Sequence, residues 1–200
     1  MGNLRSVQKA FEKIGFPAVI SSDSSKIKQA SHIVLPCVVA FGDAIKNLQK
    51  LGLVEVLNEE VLQNKKPFLG ICLGMQLLAN KSYELGEHSG LGWIDGEVVR
   101  FKFDTNLKIP HVGWNNVNYT KASVLFDGIK DGSDFYFVHS YYFSANDKTN
   151  VLSYTDYGFD FVSSVAKDNI FGVQFHPEKS QDNGLKLLEN FIKYKKGFSL

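Results

Sequence analysis

The chain has 200 residues, 44% apolar and 22% charged, a composition that fits one domain with a sizeable core. A formal net charge of +1 gives no electrostatic reason to expect nucleic acid or an anionic membrane as partner. No run approaches the roughly 18 apolar residues needed to span a bilayer, and MGNLRSVQKAFEKIG lacks the apolar segment of a secretory signal.

In chain order, Leu4, Val7, Phe11 and Ile14 recur at helical spacing, and Gly15 follows as a natural C-cap. MGNLRS fits a myristoylation pattern through Gly2 and Ser6, but Asn3 as a helix cap accounts for the same residues. Ala18-Val19-Ile20 reads as a short strand, and His32 to Leu35 as a second. Ala44 to Leu51 and Val54 to Leu62 read as helices. Pro67 to Ile71 is a short apolar run bounded by turn residues, as in a buried parallel strand, and Leu73 to Asn80 returns to helical character. Val98 to Phe103, Val117 to Tyr119, Phe135 to Val138, Val151 to Tyr154, Phe161 to Ala166 and Ile170 to Phe175 then read as strands. A last amphipathic helix carries Leu185, Leu188, Phe191 and Ile192. The expected architecture is α/β: a doubly wound, mostly parallel sheet with an added antiparallel β region in the second half, in one domain over residues 1–200. Such a sheet normally opens with a strand, whereas this chain opens in a helix, so its first strand is expected to be missing.

Cys37 and Cys72 are too few for a disulfide framework, which suits a cytoplasmic chain with reduced thiols. The five histidines show no metal-ligand spacing, and neither a metal nor a cofactor is expected.

Two segments carry chemistry. Gly70-Ile71-Cys72-Leu73-Gly74 lies between an apolar strand and a helix, and is the thiol counterpart of the G-x-S-x-G nucleophile elbow. A nucleophile on such a sharp turn needs small neighbours, because the backbone passes too closely for Cβ atoms. The competing reading is an inert buried cysteine. The second segment is Gln174-Phe175-His176-Pro177-Glu178, which places a histidine at a strand end with a carboxylate two residues on. A histidine there can take the thiol proton and later protonate a departing amine, while the carboxylate fixes its tautomer. A lone strand-end histidine is more often merely hydrogen-bonded; the elbow is what gives this one a partner.

PFLGICLGMQLL together with GVQFHPEKS resembles the class I, or triad, glutamine amidotransferases of flavodoxin-like fold. Within them the chain is similar, over nearly its whole length, to the glutaminase subunits of imidazole glycerol phosphate synthase. MGNLRSVQKAFEKIG, AFGDA, LGWIDGEVVRF, KIPHVGWN, YFVHSYYF and FHPEKS carry that similarity. The resemblance implies that Cys72 attacks a glutamine carboxamide, with His176 and Glu178 completing the triad. It implies glutamine and oxyanion contacts from Val38, Val39, Leu73, Gln76, Glu84, Ser140 and Tyr141. It also implies a cyclase subunit as heterodimer partner, met by Pro110, His111, Gly113, Trp114 and Asn115. Bland readings compete: Glu84 as a solvated surface charge, and Trp114 as a core anchor beside a tight turn.

The chain departs from the family pattern in two places. Relatives carry P-G-V-G where this chain has Pro36-Cys37-Val38-Val39, and Val39 replaces a glycine whose peptide helps shape the oxyanion hole. Relatives also carry a short apolar strand before M-G-N, so a start-site error or a truncated copy is expected. Two other readings keep much of the same site: an amidotransferase supplying ammonia for amidination of surface or flagellar sugars, and a weakly active subunit that chiefly binds its partner.

Overall fold

The computed structural model describes residues 2–37, 39–103 and 106–195, and side chains are described for all of these except Gly2 and Cys37. Its elements run α1 (Gly2–Lys13), α2 (Ser24–Gln29), β1 (Ile33–Cys37), α3 (Phe41–Lys50), α4 (Leu53–Leu57), which continues as a π-helical turn (Asn58–Gln63), β2 (Phe68–Cys72), α5 (Leu73–Gln76), β3 (Lys81–Ser82), β4 (His88–Ser89) and β5 (Gly96–Arg100). They continue with β6 (His111–Tyr119), β7 (Ser133–His139), β8 (Tyr141–Ala145), β9 (Val151–Asp156), β10 (Asp160–Lys167), β11 (Ile170–Val173) and α6 (Gln181–Lys193).

The α/β expectation holds, and the sheet is mixed. Its main path is β1-β2-β11-β10-β8-β5-β3-β4, with β9 on β10, β6 on β9 and β7 on β6. Parallel pairing joins β1 to β2, β2 to β11 and β3 to β5. The remaining ladders are antiparallel, so the antiparallel region takes more of the sheet than the sequence suggested. The reason is local: the short turns after β9 and β10 return the chain antiparallel beside the strand just left, whereas a parallel neighbour needs a long crossover.

Helices cover both faces of the parallel strands, as in a doubly wound sheet. Ile33, Phe68 and Ile170 face a core with Ile45, Leu48, Leu53 and Leu57 from α3 and α4. Leu69, Ile71, Phe171 and Val173 face a second core with Val7, Phe11, Leu187, Leu188 and Phe191 from α1 and α6. β2 is buried along its whole length, which is why it reads as continuously apolar.

Four expectations need correction. Ala18–Ile20 forms no strand: it has no ladder partner among the described residues, and Val19 and Ile20 stand 75% and 44% exposed. Three apolar residues make a strand only if a neighbouring edge accepts their backbone. Asn3 is not a cap, since it lies inside α1, buried, with neither amide atom partnered among the described residues. The helix after the elbow stops at Gln76 instead of Asn80, because Asn80 exchanges backbone and side-chain bonds with Gly96 and turns the chain into β3. Finally, Tyr141–Ala145 is a strand where the sequence reading placed none.

Candidate active site

The register of β2 with its two parallel neighbours assembles the site. Cys72, the last residue of β2, lies opposite Cys37 of β1. Val173 of β11 lies opposite Ile71, so the chain beyond β11 delivers Gln174, His176 and Glu178 beside the thiol. This is the carboxyl end of parallel strands, where α/β sheets gather reactive groups.

Cys72 has φ 55 and ψ −110, a conformation rare for a side-chain-bearing residue, and it turns directly into α5. The flanking glycines are sterically required: a Cβ on Gly70 would strike the Gly74 backbone, and one on Gly74 would strike the Leu35 carbonyl. The elbow is therefore wedged between its own helix and β1. Cys72 is buried, with Sγ 3.9 Å from the Val138 carbonyl and 3.7 Å from Gln174 Nε2.

His176 Nδ1 and Glu178 Oε1 are 2.8 Å apart, and both side chains are almost wholly buried. Burial lowers the proton affinity of His176, but the neighbouring Cys72 and the hydrogen-bonded Glu178 outweigh it and raise its pKa to about 9. In this arrangement the imidazole can take the thiol proton, which generates the thiolate beside it. The turn is fixed by backbone: His176 N–H donates to the Tyr136 carbonyl at 2.8 Å. Ser180 Oγ donates to the His176 carbonyl at 2.6 Å and accepts from Tyr136 N–H at 3.0 Å. Sequence reading assigned no role to Gln174 or Ser180. Both lie in or beside the histidine motif, but only folding brings them onto Cys72 and onto β7.

The other expected site residues divide. Gln76 Nε2 donates to the Tyr141 carbonyl at 2.8 Å and to Gln174 Oε1 at 3.0 Å, so Gln76, Gln174, Tyr141 and Cys72 form one cluster. Leu73 opens α5 directly after the nucleophile, and first-turn N–H groups have no partner within their helix. Ser140 joins β7 to β8 and accepts from Phe101 N–H through its carbonyl. Glu84 is not a free surface charge: its Oε2 accepts from Phe41 N–H at 2.8 Å, at the first turn of α3. It thereby anchors the segment that follows β1. Val39 is 51% exposed and is absent from the described residues with positive φ, while Val38 lies outside the described residues.

Of the expected partner-facing residues, Pro110 is exposed and Trp114 is 48% exposed, so Trp114 is no core anchor. His111 is the reverse: it is buried in an aromatic cluster and hydrogen-bonded to His139. β6 alternates, with His111, Gly113 and Asn115 turned inward and Val112 and Trp114 outward. No group of three or more His, Cys, Asp or Glu suited to a metal occurs among the described residues. No helix among them is long and apolar enough to cross a membrane.

A strained, buried thiol beside an imidazole fixed by a carboxylate can attack a carboxamide, protonate the departing ammonia and hydrolyse the resulting thioester. The family model for class-I glutamine amidotransferases matches residues 5–194. The chain is 54% identical over 192 residues to imidazole glycerol phosphate synthase subunit HisH 1 of Campylobacter jejuni strain RM1221, covering 96% of this chain and 95% of that protein. It is 54% identical over 192 residues to the HisH subunit of Aquifex aeolicus, covering 96% and 91%. A solved glutamine amidotransferase superposes with a TM-score of 0.74 at 19% identity, covering 95% of this chain and 94% of that one, which supports the fold alone.

Proposed function

The chain belongs to the class-I glutamine amidotransferases, and we propose that within them it is the glutaminase subunit of imidazole glycerol phosphate synthase. The observation that carries the chemistry is the pairing of a positive-φ Cys72 with the buried His176–Glu178 couple. Similarity to HisH subunits over nearly the whole chain carries the choice of reaction.

Glutamine binds with its side-chain carboxamide over Cys72. The thiolate adds to the carbonyl carbon, and the oxyanion points toward the Leu73 N–H and the backbone after β1. His176 gives its proton to the amide nitrogen, the C–N bond breaks, and ammonia departs. Water then adds to the thioester; His176 takes its proton, and glutamate leaves with the thiolate restored. Glu178 holds Nδ1 throughout, so that Nε2 serves the reacting atoms. Gln76, Glu84, Ser140 and Tyr141 form the glutamine pocket, and Val38 and Val39 lie on its oxyanion side. Ammonia passes to a cyclase subunit docked over the outward face of β6, at Pro110 and Trp114. There it is incorporated as imidazole glycerol phosphate and aminoimidazole carboxamide ribotide form. The chain acts as one domain in the reducing cytoplasm.

The test is glutamate release by the purified chain with and without its cognate cyclase subunit and nucleotide substrate. Strong stimulation by the cyclase is expected. Cys72→Ala should abolish release while leaving the heterodimer intact on gel filtration. A wild-type chain that binds the cyclase without any gain in glutamate release would refute this assignment.

A further inference from the structure

A chain of hydrogen bonds runs from β6 inward to the nucleophile, and its direction can be worked out from both ends. At the outer end, Asn115 Nδ2 donates to the Asp156 carbonyl at 2.8 Å, and its Oδ1 accepts from Asn116 N–H at 2.8 Å. Turning this amide end for end would break both bonds, so the nitrogen stays where it is. The same Nδ2 lies 3.3 Å from His111 Nε2, which must therefore accept. His111 then carries its proton on Nδ1, 3.1 Å from His139 Nε2. At the inner end, the Tyr141 carbonyl can only accept, and His139 Nδ1 lies 2.8 Å from it. His139 is thus protonated on Nδ1 and bare on Nε2, which is what His111 requires. The two ends, read independently, demand the same arrangement.

We propose that His111 and His139 are positioning residues, both locked as Nδ1–H tautomers, which transmit the orientation of the Asn115 amide to the Tyr141 carbonyl and through it to Gln76. The Tyr141 carbonyl and Gln174 Oε1 together take both Nε2 hydrogens of Gln76. Gln76 is left with Oε1 as the one atom it can offer, so it presents an acceptor and selects a donor group on the substrate. If the Asn115 amide reversed, each ring would shift its proton to Nε2, and a bare His139 Nδ1 would face the Tyr141 oxygen lone pair to lone pair. The carbonyl would turn away and Gln76 would lose its anchor.

The surroundings keep each ring at one proton. His111 stacks between Phe137 and Tyr157, with centroids 4.9 and 4.0 Å away. His139 packs against Phe101 and Phe161 at 5.2 and 5.1 Å. Burial pushes the pKa of His111 down to about 4. Burial is also the largest cause at His139, with His111 and His176 adding to it and the Tyr141 carbonyl opposing it, and its pKa falls to about 3. Both are neutral at physiological pH, so the pair has only two self-consistent states. His111 and His139 are direct cross-strand partners in the β6–β7 ladder, which fixes their approach.

The inference rests on the glutaminase reading for what Gln76 grips, and the experiment separates the two. In ¹⁵N-histidine-labelled wild-type protein at neutral pH, ring nitrogen–proton correlation spectra should show His111 and His139 neutral and protonated on Nδ1. An Nε2–H signature at either ring overturns the proposal, whatever the enzyme does. In kinetics beside the cyclase, His111→Asn keeps a side-chain N–H donor toward His139, while His111→Phe keeps the aromatic stack and loses the donor. The Phe variant should raise KM for glutamine about tenfold with a much smaller change in kcat, the loss of one orienting hydrogen bond, while the Asn variant stays close to wild type. Equal KM values for the two variants overturn the transmission. If the Phe variant does not fold, the wild-type spectrum still decides the tautomers. A wild-type protein that releases no glutamate sinks the glutaminase reading instead, and leaves the spectrum to decide the histidine pair.

Discussion

The two strands flanking β2 meet Cys72 in different ways. On the β11 side, Gln174, His176 and Ser180 are essentially inaccessible to solvent, and each is tied to Cys72, Glu178 or β7. On the β1 side, the strand ends opposite Cys72 at Cys37, and two residues later Val39 is half exposed. β1 is paired only with β2 among the described residues, so it is an edge. The thiol and its histidine are thus built into the interior, while the side proposed to face the oxyanion is built from the margin of the sheet. Groups that must be ready before substrate arrives sit where packing leaves them no alternative, and the adjustable part sits where packing is loose.

Glu178→Gln gives the largest expected effect, because it strikes the interior side. The amide keeps the shape but can present the wrong group to His176 Nδ1, and kcat should fall on the order of 10³–10⁴-fold. The pH profile supplies the sign. Glu178 helps hold the His176 pKa up, to about 9, so the wild-type imidazolium is lost, and with it the general acid, only as pH rises through about 9. Without the carboxylate that alkaline limb should move to lower pH. A variant with an unmoved limb would show that burial and Cys72 alone set the proton affinity.

Gly74→Ala probes how firmly the two sides are joined. Its new methyl would meet the Leu35 carbonyl of β1, so either β1 or the elbow must shift. A loss of roughly 1–3 kcal/mol is expected from such overpacking, read as a lower urea midpoint at unchanged slope. Full stability would mean that β1 gives way freely, and would sharpen the contrast between the strands.

The smallest effect is expected at Val39→Gly, on the loose side. Glycine there gains access to backbone conformations that a β-branched residue resists, and glutaminase turnover should rise, by about tenfold or less. The measurement is glutamate release at saturating glutamine. An unchanged rate would place the oxyanion donors elsewhere, with Leu73 N–H as the remaining choice.

The elbow and the His176–Glu178 pair were legible because their chemistry is written in consecutive residues. Short-range patterns also gave most elements of the sheet, including the buried β2. What escaped depends on partners distant in sequence. Ala18–Ile20 has the composition of a strand and no ladder partner among the described residues, a fact that no local pattern contains. The role of His111 was misread as surface because its strand also carries the exposed Trp114, and periodicity alone does not say which face of β6 turns inward. Its contact with His139 exists only through the β6–β7 register. Gln174 and Ser180 likewise acquire their partners only when β11 aligns beside β2 and the following turn packs on β7.

The pleat of β6 has an evolutionary consequence. Val112 and Trp114 project outward, whereas His111 and Asn115 project inward, and these two sets alternate along one strand. If the cyclase docks on this face as proposed, substitutions at the outward positions can retune what it recognises without entering the polar network behind it. Lineages that duplicate such a subunit can therefore diverge in whom they serve while inheriting the same chemistry. An insertion or deletion of one residue within β6 has no such freedom, because it would exchange the two faces and disturb recognition and catalysis together.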